Sequence, residues 1–201
     1  MDVAGAFQMP VLQPFTFATP PEEMWSFGRK PSPERRRQTL VHGYLDDPRL
    51  MSLADDPGRY VTLFSEFLAI VTPDFSMTVG MPVQDRIRSA WTGRAIGAYF
   101  QSRGLHVVPN VRWATLDDLD VVVGGLPCQG IIALSSQGLL RDKQLHFTFE
   151  KGIPVVLDRL KPRQVVFYGT MRPAVHEMLS PMAEILQFPT DIRRVFDERV
   201  A

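Results

Sequence analysis

The sequence predicts an α/β fold in which short parallel strands alternate with helices, as an open sheet or a partial β/α barrel. From residue 58 onward, short apolar runs are separated by turn residues and by segments with helical spacing. Strands that are covered on both faces are apolar throughout, so these runs are typical of parallel strands. The length of 201 residues is enough for one domain with a full hydrophobic core.

Residues 1–57 form a proline-rich segment that we expect to be mostly irregular and to pack on a core domain of residues 58–201. Each proline fixes its own φ angle and disfavours helix at the residue before it. The segment is nevertheless too apolar for a free tail. Its large apolar side chains are Phe7, Phe15, Phe17, Trp25 and Phe27.

In the core domain, "GRYVTLFSEFLA" has helical spacing and "LAIVTPD" reads as the first strand. The stretch "PVQDRIRSAWTGRAIGAYFQSRG" predicts a long helix that begins at Pro82 and stops at Gly104. The runs "LHVVPNVRW", "LDVVVGGLP", "GIIALSS" and "RQVVFYGT" are further candidate strands, and "FEKGIPVVLDRLKP" is a candidate helix. The predicted core face of the long helix consists of Val83, Ile87, Trp91, Ala95, Ala98 and Tyr99.

Composition excludes several classes of protein. The 22 basic and 22 acidic side chains cancel, so no overall field attracts nucleic acid or anionic lipid. A single cysteine, Cys128, excludes an internal disulfide and a multi-cysteine metal site, and we expect it to be a packed thiol in a reducing cytoplasm. The histidines are widely spaced, so we expect no metal and no cofactor. We expect no secretory signal, and no apolar stretch reaches the roughly 20 residues that cross a bilayer.

Polar residues follow the predicted strands in "PDFS", "VRW", "SSQG" and "YGT". Ligands of parallel sheets bind at the carboxyl ends of the strands, so we expect these residues to lie along one rim. "SSQG" matches neither the dinucleotide nor the P-loop pattern, and no G-x-S-x-G elbow occurs. The expected ligand-binding residues are Asp74, Arg94, Trp113, Ser135, Ser136 and Tyr168.

Asp74 has three interpretations. It caps the following helix or makes a turn hydrogen bond, it is a functional carboxylate that holds a cation or accepts a proton, or it pairs with Arg94. If the protein is an enzyme, the candidate catalytic residues are Asp74, Ser76 and Arg94. Trp113 is either a core residue or a stacking surface at a strand end.

The run "GRKPSPERRRQ" contains five basic side chains and one acidic side chain. It is either a solvated loop or a contact for a phosphate or for an acidic partner surface. The candidate partner-binding residues are Arg29, Arg35, Arg36 and Arg37. Sequence-specific DNA binding by this chain alone is not expected, since the chain has neither net positive charge nor a helix-turn-helix signature.

The ordered motifs "PDFS", "YFQSRG", "VVPNVRW", "GLP", "IALSSQG" and "VVFYGT", together with Pro82 and Arg94, resemble the bacterial and phage family called domain of unknown function 4417. The resemblance covers roughly residues 65–172. It departs from the family pattern at Met77 and Thr78, where a tyrosine is expected, and around Arg88 and Trp91, where an asparagine–tyrosine pair is expected.

The resemblance implies a protein of phages or other mobile elements, at work in the cytoplasm of the host bacterium. Some phage proteins of this type are associated with recombination directionality factors, which bind a large serine integrase and switch it from integration to excision. Such a factor needs a surface for a protein partner rather than a set of catalytic groups. The alternative hypothesis is an enzyme for a small molecule or nucleotide, with Asp74 as acid, base or cation ligand and Arg94 as anion clamp.

Overall fold

The computed structural model describes residues 1–29, 31–139 and 143–200. An N-terminal antiparallel hairpin consists of β1 (Val3–Ala4) and β2 (Met9–Pro10). The first parallel sheet has the order β3 (Glu23–Ser26), β4 (Thr39–His42), β5 (Ala69–Val71) and β6 (Val107–Val108). The second parallel sheet has the order β7 (Ile131–Ser135), β8 (Gln164–Tyr168) and β9 (Glu184–Phe188).

Helices alternate with these strands. They are α1 (Pro33–Arg36), α2 (Asp47–Asp55), α3 (Val61–Phe64), α4 (Val83–Ser102), α5 (Leu119–Val123), α6 (Lys143–Leu160), α7 (Pro173–Leu179) and α8 (Asp191–Val200). Short 3-10 helices cover Pro57–Tyr60 and Leu116–Asp118. The alternation of helices with parallel strands confirms the predicted α/β class. No helix within the described ranges is long and apolar enough to cross a membrane.

The two parallel sheets join into one strongly curved surface. A bridge links Asn110 beyond β6 to Ala133 in β7, and the Ala133 N–H donates to the Pro109 carbonyl over 2.8 Å. Side chains from β3 through β9 then share one interior cluster, which includes Met24, Leu40, Val71, Val108, Ala133, Val166 and Phe188. The curved sheet is a partial rather than a closed barrel, because β3 and β9 are not paired within the part of the chain that the structure describes.

The N-terminal segment is more regular than its prolines suggest. β3, β4 and α2 all lie before residue 58, so the expectation of a mostly irregular segment is wrong for them. The prolines occupy positions that these elements tolerate, because Pro33 and Pro48 lie in the first turns of α1 and α2. Phe17 is buried in the interior cluster, and its N–H donates to the Gln164 side chain over 2.7 Å.

The predicted core face of α4 is wrong. Val83 and Trp91 are 54% and 37% exposed, and the buried face is instead made of Arg86, Gly93, Arg94, Ile96, Gly97 and Phe100. A Cβ atom at Gly93 would lie 2.5 Å from the Pro73 carbonyl oxygen. Glycines on this face therefore let the helix backbone pack closely against the end of β5. The predicted face was wrong because it was chosen from large apolar side chains.

Two further expectations are wrong. The candidate strand "LDVVVGGLP" is the helix α5, which follows a capping box between Thr115 and Asp118 and stops at Gly124. Cys128 is exposed rather than packed, with its Sγ 3.5 Å from the Arg159 carbonyl oxygen.

Candidate functional site

Polar side chains from three strand ends form a hydrogen-bonded chain, the strand-end network of Tyr44, Asp74, Asn110 and Arg112. The Tyr44 hydroxyl donates to Asn110 Oδ1 over 3.0 Å, and Asn110 Nδ2 donates to Asp74 Oδ1 over 2.7 Å. Arg112 donates to the other carboxylate oxygen, Asp74 Oδ2, over 2.9 Å. Both oxygens of Asp74 therefore have protein partners.

Burial dominates the electrostatics of this network. The side chains of Asp74 and Arg112 are 9% and 26% exposed. Burial raises the pKa of Asp74, although the charge of Arg112 and the hydrogen bond from Asn110 act in the opposite direction. Burial also raises the pKa of Tyr44 well above its usual value, so its hydroxyl stays protonated and acts as a donor.

The structure decides between the structural interpretations of Asp74. It does not cap α4, since Pro82 occupies the cap position and no side chain makes a cap hydrogen bond there. It does not pair with Arg94 either. Arg94 is buried and donates to the carbonyl oxygens of Val122, over 2.7 Å, and Gly124.

Arg94 therefore serves the end of α5. Its cation lies at the C-terminal end of that helix, where unpaired carbonyls carry partial negative charge. Burial lowers the pKa of Arg94 to about 10, which leaves it protonated at neutral pH. The pairing of Arg94 with Asp74, one of the three interpretations, is wrong because the α5 carbonyls accept from both terminal nitrogens of Arg94, and Arg112 pairs with Asp74 instead.

Three other predicted residues have structural contacts. The backbone N–H and the hydroxyl of Ser76 both donate to Asp47 Oδ1 over 3.0 Å, which ties this loop to the start of α2. Trp113 stacks on Phe149 at 5.1 Å between ring centroids and is 6% exposed, so it is a core residue. The Ser135 hydroxyl accepts the Gln137 N–H over 3.0 Å within the turn after β7.

Tyr168 belongs to a second polar cluster on the same rim. Its ring lies 4.8 Å from that of Tyr44 and 4.5 Å from that of His42, and its hydroxyl accepts the Asp191 N–H over 2.9 Å. His42 Nε2 is 3.6 Å from Asp191 Oδ1, and Arg194 also contacts this carboxylate. The cluster thus anchors the start of α8 on the barrel.

The pKa of His42 follows the effect of burial, whereas the pKa of Asp191 shifts against it. Burial lowers the pKa of His42, so the imidazole is neutral at pH 7. Burial alone would raise the pKa of Asp191, but the neighbouring His42, Ser26 and Arg194 outweigh it and bring the pKa to about 2.

The space at these strand ends is small. One cavity of about 20 Å³ is lined by Asp74, Asn110, Arg112 and Arg94, and another of about 10 Å³ is lined by Asp74, Ser135 and Trp113. A volume of that order is enough for about one water molecule. Ser136, also on this rim, is 2% exposed and its hydroxyl has no hydrogen-bond partner among the residues described.

Within the described residues, no group of three or more histidine, cysteine, aspartate or glutamate side chains is arranged to hold a metal ion.

The arginines of the "GRKPSPERRRQ" loop lie in two places. Arg29 and Arg35 lie over the ring of Trp25, at 5.8 and 5.4 Å from its centroid. Arg36 and Arg37 instead line an open groove at the amino ends of the strands. The loop is therefore not a single solvated run of charge.

The reading of the sequence missed most of the strand-end network. Asn110 and Arg112 stand in "VVPNVRW", where Trp113 was the one residue named as a candidate ligand-binding residue. The sequence contained a signal for them, because the apolar residues Val111 and Trp113 alternate with these two polar residues. In the structure the two apolar residues are buried. Tyr44 and His42 had no such signal, since β4 was not predicted.

The family model described as "Domain of unknown function (DUF4417)" matches residues 1–189. The Gene 1 protein of Mycobacterium phage L5 is 29% identical over 187 residues, which are 93% of this chain and 80% of the phage protein. The Gene 1 protein of Mycobacterium phage D29 is 31% identical over 187 residues, which are 93% of this chain and 68% of the phage protein. No solved structure matches significantly.

Proposed function

Because this chain belongs to the family DUF4417, whose relatives include proteins of two mycobacteriophages, we propose that it is a phage regulator that acts by binding another protein. The best candidate for its role is a recombination directionality factor. In that role it binds a large serine integrase on DNA and switches the integrase from integration to excision.

The observation that carries the proposal is the closed state of the strand-end network. Ligand pockets are commonly 300–1,000 Å³, whereas the two cavities beside Asp74 have volumes of about 20 and 10 Å³. Both carboxylate oxygens of Asp74 already accept hydrogen bonds from protein groups. These side chains stabilise the barrel rim and leave recognition to the outer surface.

The charge distribution supports a protein partner. With zero net charge, the chain lacks the general attraction to phosphates that DNA-binding proteins use. Arginine is enriched at protein interfaces. Arg29, Arg35 and Arg37 are exposed in the N-terminal region, and Arg36 is partly exposed. On this proposal the integrase, not the regulator, contacts DNA.

The test uses a large serine integrase encoded in the same phage genome. The protein is added to integrase bound to its attachment-site DNA, and complexes are resolved by gel mobility. We expect a slower-migrating complex, recombination of attL with attR only when the protein is present, and inhibition of attP with attB. A complex of unchanged mobility together with an unchanged direction of recombination would remove the proposal.

A second candidate is an enzyme or receptor for a small anionic molecule such as a nucleotide. It is favoured by one observation, since Asp74, Asn110 and Arg112 lie at the carboxyl ends of parallel strands, where ligands of such folds bind. Arg112 replaces Arg94 as the anion clamp in this version. Nucleotides would raise the melting temperature of the wild type but not of Arg112→Ala, and no shift with any nucleotide would count against this candidate.

A further inference from the structure

An open groove lies at the amino ends of β5 and β6, on the opposite rim from the strand-end network. It has a volume of about 790 Å³, within the size range of ligand pockets. Its walls are residues 64–69, residues 103–106 and the part of the α1 region that contains Pro33, Arg36 and Arg37. We call it the basic groove.

The basic groove carries uncompensated positive charge. Three arginines line it, and Glu66 is the one acidic side chain among the lining residues, paired with Arg36. Arg37 is exposed and has no side-chain partner in the described part of the chain. Arg103 lies over the Tyr99 ring at 5.1 Å, and its guanidinium has no acidic partner among the described residues.

The floor of the groove is apolar, and its phenylalanine rings are covered. The exposed ring in the lining, that of His106, is stacked on Phe15 at 4.4 Å between ring centroids. Phe67 and Leu105 line it and are 8% and 9% exposed. Arg36 lies 5.9 Å from the centroid of the Phe67 ring and covers part of it. Single-stranded nucleic acid is bound by exposed aromatic rings on which bases stack. A peptide fits better, because it needs only carboxylates for the arginines and small apolar side chains for the floor.

We propose that the basic groove binds an acidic peptide segment of a protein partner. Carboxylates of that segment pair with Arg37 and Arg103, and an adjacent apolar side chain packs on the floor beside Leu105. This inference rests on the proposed function, because it assigns the docking surface of the regulator and the chemistry of what docks there.

The binding test needs no integrase. Short fluorescein-labelled peptides of Glu and Leu, one with alternating and one with helical spacing, are titrated with the protein and followed by fluorescence anisotropy. A Lys–Leu peptide and oligothymidine are the comparison probes. We expect a Glu–Leu peptide to bind, with an affinity that falls as salt rises. We also expect the double variant Arg37→Glu/Arg103→Glu to bind it about tenfold more weakly.

Arg88→Glu is the matched control, since the Arg88 side chain is 72% exposed and lies on α4 rather than in the groove. It should bind the peptide like the wild type, and circular dichroism should show that all variants fold. The inference is overturned if neither Glu–Leu peptide binds, if the double variant binds as well as the wild type, or if oligothymidine binds more tightly than the peptides.

The same variants separate the inference from the proposed function. If the wild type and the double variant switch the integrase equally well, the groove is not the docking surface, although the function stands. If the wild type does not switch the integrase, but binds the peptide more tightly than the double variant does, the groove is a peptide-binding site and the assigned role in recombination is wrong.

Discussion

Asp74→Ala should destabilise the protein rather than remove an activity. The change takes away the acceptor of two hydrogen bonds, from Asn110 and Arg112. Hydrogen bonds to a charged group contribute about 1.5–3 kcal/mol each. Two effects reduce the total, because Arg112 is partly exposed and regains water, and because the cost of burying the Asp74 charge disappears. We therefore expect a loss of about 2 kcal/mol in the free energy of unfolding.

Urea unfolding followed by tryptophan fluorescence measures this loss. For a chain of this size, about 2 kcal/mol corresponds to a fall of about 4–8 °C in melting temperature. A double-mutant cycle with Arg112→Ala should show that the two changes are not additive, because they remove the same contact. An unchanged free energy of unfolding for Asp74→Ala, together with lost switching of the integrase, would show that the carboxylate acts on a partner or ligand.

The pH dependence gives a second measure of Asp74. Its pKa is raised in the folded state by burial, so the fold favours the protonated carboxyl. This contribution is fully present below the unfolded pKa of about 3.8 and is lost as the pH rises through the folded value. The stability of the wild type relative to Asp74→Asn should therefore fall as the pH rises from 4 towards neutral. A difference that does not change with pH would refute the raised pKa.

Three further substitutions test other contacts, and a fourth, Gly130→Ala, is a control. Arg94→Met should cost about 2–3 kcal/mol in urea unfolding, since it leaves buried carbonyls of α5 without donors. Gly152→Ala should cost about 1–3 kcal/mol, since its Cβ would lie 2.5 Å from the Trp113 ring, whereas Gly130→Ala, whose Cβ would meet nothing closer than 3.5 Å, should change little. Asp191 has a pKa lowered to about 2, so its contribution is present above pH 3.8 and is lost as the pH falls towards 2. As the pH falls from 5 to 2, the free energy of unfolding of Asp191→Asn should therefore fall by about 1–2 kcal/mol less than that of the wild type, a figure reduced for the partial exposure of Asp191. Urea unfolding at pH 2–5 measures this difference.

The sequence predicted buried strands that are apolar, but not the equally buried β4, in which only two apolar residues lie between the polar Thr39 and His42. The strands β5, β7 and β8 are buried at every position, so their apolar runs predicted them. β9 was not predicted because its residues are mostly half-buried or exposed, as expected of a strand at the edge of a sheet. Tertiary neighbours, not local pattern, decide that such a segment becomes a strand.

The rim could be predicted but its internal pairing could not. Parallel strands end on the same side, which is why Asp74, Ser135 and Tyr168 were expected together and are found together. Choosing Arg112 rather than Arg94 as the partner of Asp74 depends on where the α5 carbonyls lie. No spacing in the sequence contains that information.

The position of β3 at the edge of its sheet has a consequence for synthesis on the ribosome. The carbonyl of Met24 accepts a hydrogen bond from the guanidinium of Arg194, which lies 170 residues later in the sequence. The same guanidinium lies 3.9 Å from the centre of the Trp25 ring. A nascent chain therefore carries this edge and its indole without their cover until α8 has emerged from the exit tunnel. Translation that stops before that point should yield an aggregation-prone product, which is the kind of chain that chaperones bind.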